Sequence, residues 1–279
     1  MKSAQVWWKQ TQPHKYAINA ALLGDTHNCA WSNLGYWDAP NLNYPQACER
    51  MARRLADAVQ LQATDRLLDL GCGQGASLLL WTEQYHVTDL EAVEMQPDCV
   101  THNRKFLPHI PAIHCGSFLQ LQQLPLQRTF DVALCVDAAY HSSLPELLTS
   151  VVPCLAPGGR LALHALVLSE RAAQLSRLQR WQLRMLLKAA DVKLDSLYSL
   201  AQLPSVFQQQ GLVLQQAQII SHEVFHGFAY YIEHLDTRHW KQIPQHALDQ
   251  VKIRMTAKLC SKLYREGYVD YVELAAYKR

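Results

Sequence analysis

The chain has 279 residues, 49% hydrophobic and 18% charged, enough to bury one sizeable core. Lys and Arg number 26 against 24 Asp and Glu, and so small an excess gives no field that would gather a polyanion, so nucleic acid is not expected as a partner. No stretch approaches the ~20 apolar residues of a membrane-spanning helix, and the first residues lack the apolar run of a signal peptide, so a cytoplasmic protein is expected. The eight cysteines are scattered without a C-x-x-C pair and are expected as buried thiols in a reducing compartment.

In chain order, Ala47, Met51, Leu55, Ala58 and Val59 recur at helical spacing and predict a helix over 44–59. Arg66-Leu67-Leu68-Asp69-Leu70 reads as a short strand stopped by Gly71-Cys72-Gly73-Gln74-Gly75, after which a helical pattern resumes over 76–85. Strands follow over 90–95, 112–115 and 130–136, with helices over 98–106 and 144–155. Ala156-Pro157-Gly158-Gly159 punctuates the last helix before a strand over 160–168. Strands alternating with helices imply crossover units and a mostly parallel sheet. Segment 169–191 departs from this scheme: Arg177, Arg180, Arg184 and Lys188 fall beside Leu175, Leu178, Leu183, Leu186 and Leu187, the pattern of an inserted amphipathic helix. Its basic stripe is read as a solvated face, with weak contact to an anionic partner or membrane surface as the alternative. Strands over 212–219 and 268–277 close the chain, with a helical stretch rich in His and aromatics between them.

Glycines directly after a strand let a ligand approach the backbone, and the following helix start offers free N–H groups. Gly71, Gly73 and Gly75 meet that need, and Glu94 sits at the offset (~20 residues) suited to a ribose hydroxyl. These residues also satisfy a dinucleotide fingerprint, which leaves a nicotinamide-dependent oxidoreductase open. Asp69 favours another ligand, because a carboxylate before the first glycine disfavours a pyrophosphate and attracts a cation.

Leu67-Leu68-Asp69-Leu70-Gly71-Cys72-Gly73-Gln74-Gly75 resembles the first motif of class I S-adenosylmethionine-dependent methyltransferases. Glu94, Phe130-Asp131-Val132-Ala133-Leu134 and Leu155-Ala156-Pro157-Gly158-Gly159-Arg160-Leu161 continue the likeness over 61–168. The resemblance implies an α/β fold: a Rossmann-like seven-stranded, mostly parallel sheet with helices on both faces and an antiparallel last strand. It also implies an N-terminal helical lid over 1–60, then a cofactor-binding domain over 61–279 with inserted helices about 169–205 and 221–262. S-adenosyl-L-methionine is the implied cofactor and S-adenosyl-L-homocysteine its product. Asp69, Gly71 and Gly73 would lie around the methionine part, Glu94 at the ribose, and Met95 and Gln96 beside adenine. Ser117 and Phe118 would form the adenine edge, with Ser117 standing where many relatives carry Asp. Val136 and Asp137 would approach through the backbone.

Trp31-Ser32-Asn33-Leu34-Gly35-Tyr36-Trp37 resembles the G-Y-W segment of small-molecule methyltransferases and cyclopropane fatty acid synthases, where it forms part of a lid; Asn33 is expected beside the cofactor. Trp7, Trp8, Tyr16, Trp31, Tyr36 and Trp37 are too dense at the N-terminus to stay exposed as one patch. Asp137-Ala138-Ala139-Tyr140-His141 follows the fourth strand, and in the resembling enzymes a His at this position lies over the transferred methyl group, often as a general base. Tyr36, Tyr140 and His164 are the groups expected to orient the acceptor. Cyclopropane synthases carry Glu where Tyr140 stands, which argues for ordinary methyl transfer. Ser221-His222-Glu223-Val224-Phe225-His226-Gly227-Phe228-Ala229-Tyr230-Tyr231 is expected along the acceptor pocket, and without H-E-x-x-H order it is not read as a metal site. The function expected is methyl transfer to a small-molecule O, N or C acceptor. The alternatives are a non-catalytic S-adenosylmethionine-binding protein and a cyclopropane-synthase-like enzyme on lipid.

Overall fold

The computed structural model describes residues 18–126, 128–238, 240 and 246–279, so Trp7, Trp8 and Tyr16 lie outside the described residues. The apolar runs form seven strands: β1 (Arg66–Leu70), β2 (Asp89–Glu94), β3 (Ile113–Cys115), β4 (Phe130–Cys135), β5 (Leu155–Leu168), β6 (Leu212–Ile219) and β7 (Val269–Lys278). They make one sheet in the order β3-β2-β1-β4-β5-β7-β6. β1 to β5 pair in parallel, and β7 runs antiparallel to both β5 and β6. The chain steps outward from β1 to β3 and returns across β1 to β4. That reversal opens a crevice at the carboxyl ends of β1 and β4, where ligands bind in sheets of this kind.

The helices are α1 (Tyr44–Ala58), α2 (Ala76–Leu79), α3 (Pro97–Phe106), α4 (Leu144–Val151), α5 (Arg177–Lys188), α6 (Leu203–Gln209), α7 (Gly227–His234) and α8 (Ala247–Glu266). α1 starts where Asn43 and Gln46 cap each other reciprocally. Its stripe of Met51, Leu55 and Ala56 is fully buried, and α1 packs on the sheet beside β5 and β7. α1 lies within the segment 1–60 and packs on the sheet, while Ile18, Ala30, Trp31, Ser32, Asn33 and Leu34 of the same segment line the cavity described below. One sheet face packs Leu68, Leu70, Leu161 and Leu163 against Leu147 and Leu148 of α4 and Phe207 of α6. The other buries Leu67, Val132 and Ala162 with Leu55 of α1 and Trp81. A third cluster joins Leu22, Leu23 and Tyr36 to Leu187 of α5, Phe228 of α7 and Ile253 of α8, a cap that bridges the two inserted regions.

Several boundaries differ from the sequence pattern. The helix after the glycine turn is α-helical only to Leu79 and continues as a π-helical turn over Leu80–Gln84. The Pro157-Gly158-Gly159 stretch belongs to β5 as an irregularity: the pairing shifts between Phe130↔Leu155 and Val132↔Arg160, and Gly158 has φ +74. Leu178 of α5 is 64% exposed, as Trp181 and Met185 largely are, so only Leu183 and Leu187 anchor that helix fully. All eight cysteines are free; Cys29, Cys48, Cys72, Cys135 and Cys260 are buried as expected, whereas Cys99 and Cys154 are half-buried and Cys115, at the end of β3, is exposed.

Candidate active site

The glycine turn sits directly above β1. Gly71, Gly73 and Gly75 have φ of +80, +53 and +88, a region that side-chain-bearing residues rarely adopt. A Cβ on Gly75 would stand 2.7 Å from Asn103 Oδ1, so α3 packs on the turn too closely for any side chain there. Asn103 Nδ2 donates to the Gly73 carbonyl at 2.9 Å. Glu94, at the end of β2, accepts from the Gly73 N–H at 3.0 Å and from the Gln96 N–H at 2.7 Å. One carboxylate thus fixes both the glycine turn and the start of the loop that carries Met95 and Gln96.

Asp69 is buried beneath this turn and does not reach the cavity surface. Trp81 Nε1, in the π-helical turn, donates to its Oδ2 at 2.5 Å. Burial pushes the Asp69 carboxyl up to about 6, against the opposing pull of the Trp81 and Ser77 hydrogen bonds. The aspartate orders the turn from below, through an indole that the sequence pattern did not single out.

Asp137, just past β4, has φ +52 and turns its side chain away from a purely backbone role. It accepts from the Leu34 N–H at 2.8 Å and from the Tyr271 hydroxyl, and it also bonds to Tyr140. This carboxylate ties the 31–37 segment to β4 and β7 at once. Burial raises it to about 6, with the Tyr271 and Leu34 hydrogen bonds opposing.

These elements enclose a cavity of about 710 Å³. Gly71, Gly73, Glu94, Met95 and Gln96 line it from β1 and β2, and Ser117 and Phe118 from the turn after β3. Ser117 Oγ also accepts from the Leu119 N–H at 3.2 Å. Val136, Asp137, Tyr140 and His141 line it after β4, and Asn33 from the N-terminal segment. Residues of α5 and α8 close the remaining side.

Three expected site residues stand off the cavity. Asp69 lies beneath the turn. His164 is fully buried in β5, where its Nδ1 accepts from the Asp137 N–H at 3.2 Å. Burial lowers its pKa to about 3, with Arg54 adding to the effect, so it is a neutral acceptor that holds the β4 end rather than a group facing the acceptor. Tyr36 is buried with the Arg54 guanidinium 4.3 Å over its ring. Of the segment over 221–231, only Phe225 reaches the cavity. The π-helical turn His222–His226 points Val224 and Phe225 inward and leaves His222 and His226 stacked outside at 4.9 Å.

Residues the sequence reading missed include Trp81, Asn103, Tyr271 and the inward face of α8. Only α8 carried a usable signal, since Ile253, Ala257, Cys260 and Leu263 repeat at helical spacing and are buried.

The fold and the glycine-turn site define a nucleotide-type cofactor domain of the Rossmann-like kind. The family model described as a methyltransferase domain matches residues 44–217, and the chain belongs to that family. It is 30% identical over 135 residues to 27-O-demethylrifamycin SV methyltransferase of Amycolatopsis mediterranei, covering 46% of this chain and 48% of the relative. Against erythromycin 3''-O-methyltransferase of Saccharopolyspora erythraea it is 27% identical over 172 residues, covering 57% and 55%. The chain spans about half the length of these curated relatives. Among solved structures, geranyl diphosphate C-methyltransferase from Streptomyces coelicolor A3(2), in complex with Mg2+, geranyl diphosphate and S-adenosyl-L-homocysteine, shares the fold. Its TM-score is 0.66 at 14% identity, covering 96% of this chain and 99% of that one.

Proposed function

We propose that this protein binds S-adenosyl-L-methionine at the glycine turn and transfers its methyl group to a small-molecule acceptor held in the same cavity. The observation that carries the reading is that the open glycine turn, the Glu94 carboxylate and His141 border one cavity. The residues fit the cofactor. Gly71 leaves a gap that a Cβ would narrow to 3.2 Å from Ala138 Cβ and 3.6 Å from the Phe118 ring. Asn33, which lines the same cavity, has a buried Oδ1 with no hydrogen-bond partner among the described residues, an acceptor suited to an ammonium group. Met95 and Phe118 offer apolar surface for a flat base, and Glu94 retains lone pairs for ribose hydroxyls.

When bound, S-adenosyl-L-methionine supplies an electrophilic methyl group on a sulfonium. The protein's part is positioning and exclusion of water. The Glu94 carboxylate fixes the turn, and Asp137 holds the 31–37 segment over the crevice. His141 takes the acceptor's proton where the acceptor is a hydroxyl or an acidic carbon, and Tyr140, anchored on Asp137, orients it. The experiment is transfer of labelled methyl to a panel of hydroxylated, amine and carboxylate acceptors by wild type and His141→Ala. Wild type is expected to label at least one acceptor, and the variant to lose about 10²–10⁴-fold in kcat while retaining cofactor affinity within about threefold. An unchanged kcat in the variant removes His141 from the chemistry.

A further inference from the structure

The cavity has two unlike halves. The sheet order puts β1 and β2 on one side of β4, and β5 and β7 on the other. The β1–β2 side carries the glycine turn and Glu94. The far side is closed by α5 and α8, where Leu186, Leu187, Ile253, Leu259 and Leu263 make an apolar wall. Three lysines of α8, Lys252, Lys258 and Lys262, line this far half. Among the described residues the acids lining the cavity are Glu94 and Asp137, and Asp137 is engaged by Leu34, Tyr271 and Tyr140.

Lys252 is half-buried against the apolar wall, while Lys258 and Lys262 stand at the exposed rim. Lys262 pairs with Glu266 at 3.6 Å. Asp249, one turn before Lys252, is taken by Asn19 at 2.8 Å and His246 at 3.4 Å. Lys252 and Lys258 have no ion-pair partner among the described residues. A solvated lysine normally keeps its ammonium in water and packs its stem on apolar surface. Lys252 and Lys258 thus border an apolar wall with no acid among the described residues to pair them, an arrangement that an anion entering the cavity would complete with charge-assisted hydrogen bonds.

We infer that the acceptor is an amphipathic anion, with an apolar body in the α5–α8 half and a carboxylate, sulfate or phosphate at Lys252 and Lys258. The inference rests on the proposed methyltransferase reading. Such an acceptor is oriented by its two ends: the apolar wall takes the body, the lysines fix the head, and the methylated atom falls toward His141 after β4.

The test is equilibrium dialysis of the full chain against radiolabelled decanoate, decan-1-ol and decylamine, with and without S-adenosyl-L-homocysteine. Decanoate is expected to bind at least tenfold more tightly than the other two. Lys252→Gln combined with Lys258→Gln should reduce decanoate to the level of decanol and leave decanol unchanged, and Lys252→Arg should keep the preference. Equal binding of the three probes, or a decanoate preference that survives the double variant, overturns the inference. A separate titration with S-adenosyl-L-homocysteine distinguishes this failure from that of the methyltransferase reading, since the cofactor site uses none of these lysines. Flotation with phosphatidylglycerol vesicles that the double variant abolishes assigns the anion to a lipid headgroup. Decanoate binding without flotation assigns it to a free acid, and both results support the anionic acceptor.

Discussion

Asp69 and Asp137 are carboxylates that the fold has taken out of water without a cation beside them. Each is raised from the ordinary 3.8 to about 6. A carboxyl raised in the folded state contributes stability that is fully present below about pH 4 and lost as pH rises through about 6. Asp131 works the other way: Arg66 bonds it at 2.7 Å and holds it down at about 2, so its contribution is lost only as pH falls toward that value. The two windows scarcely overlap. For Asp69 the gap is worth on the order of 3 kcal/mol. Asp69→Asn, which keeps an oxygen for Trp81, should match wild type in chemical denaturation at pH 4 and exceed it by about 2–3 kcal/mol at pH 7.5. A constant difference across that range would show that Asp69 titrates normally. At this scale the glycines and Glu94 were legible in the sequence, because the backbone geometry of a strand-turn-helix demands those residue types at fixed spacing. Trp81 and Tyr271 were not, since each meets its aspartate through the fold, across 12 and 134 positions.

The 31–37 segment is held from three directions. The Tyr36 N–H donates to Ala47 of α1 at 2.8 Å, the Trp37 N–H donates to the Glu223 carbonyl at 3.1 Å, and the Trp37 ring stacks on Tyr231 at 4.3 Å. Gly227 opens α7 where Trp37 crosses, and a Cβ there would collide with the Trp37 side chain. Its φ of −58 is ordinary for a helix, so the glycine serves close approach and not backbone freedom. Gly227→Ala should cost about 1–3 kcal/mol by overpacking and speed hydrogen exchange at Tyr36 and Trp37, leaving the amides of β1 and β4 protected. Unchanged exchange at 36–37 would mean that α7 does not hold this segment. The strands were legible because alternating elements leave a clear apolar pattern. The early end of α2 and the extension of β5 were not, since both depend on what packs against them: Trp81 reaching Asp69, and Leu155 pairing with Phe130 across a bulge. The basic stripe of α5 is a solvated face, as its pattern predicts: its arginines are exposed, with Arg184 bonded to Asp195 at 2.8 Å.

Across the whole molecule, a mostly parallel sheet with a crevice at its switch point is covered by a cap drawn from three separate parts of the chain: 18–37, α5, and α7 with α8. The sheet half of the cavity could be anticipated, because the crevice follows from strand order and glycine spacing. For the cap the sequence pointed to the covering segments but not to the side chains that line the cavity, because nothing local in Leu187 or Ile253 says that they share one apolar wall, and such pockets form from segments brought together only by the tertiary fold. Among the described residues no helix is long and apolar enough to cross a membrane.

Everything proposed for this site depends on the glycine turn and Glu94 holding an S-adenosyl cofactor. The most direct measurement is calorimetric titration of the full chain with S-adenosyl-L-methionine, S-adenosyl-L-homocysteine and NAD, repeated on Glu94→Ala. One site for each adenosyl ligand, no binding of NAD, and at least a tenfold loss of affinity in the variant with its fold intact by circular dichroism are expected. Binding of NAD alone, or adenosyl binding indifferent to Glu94, would contradict that cofactor assignment.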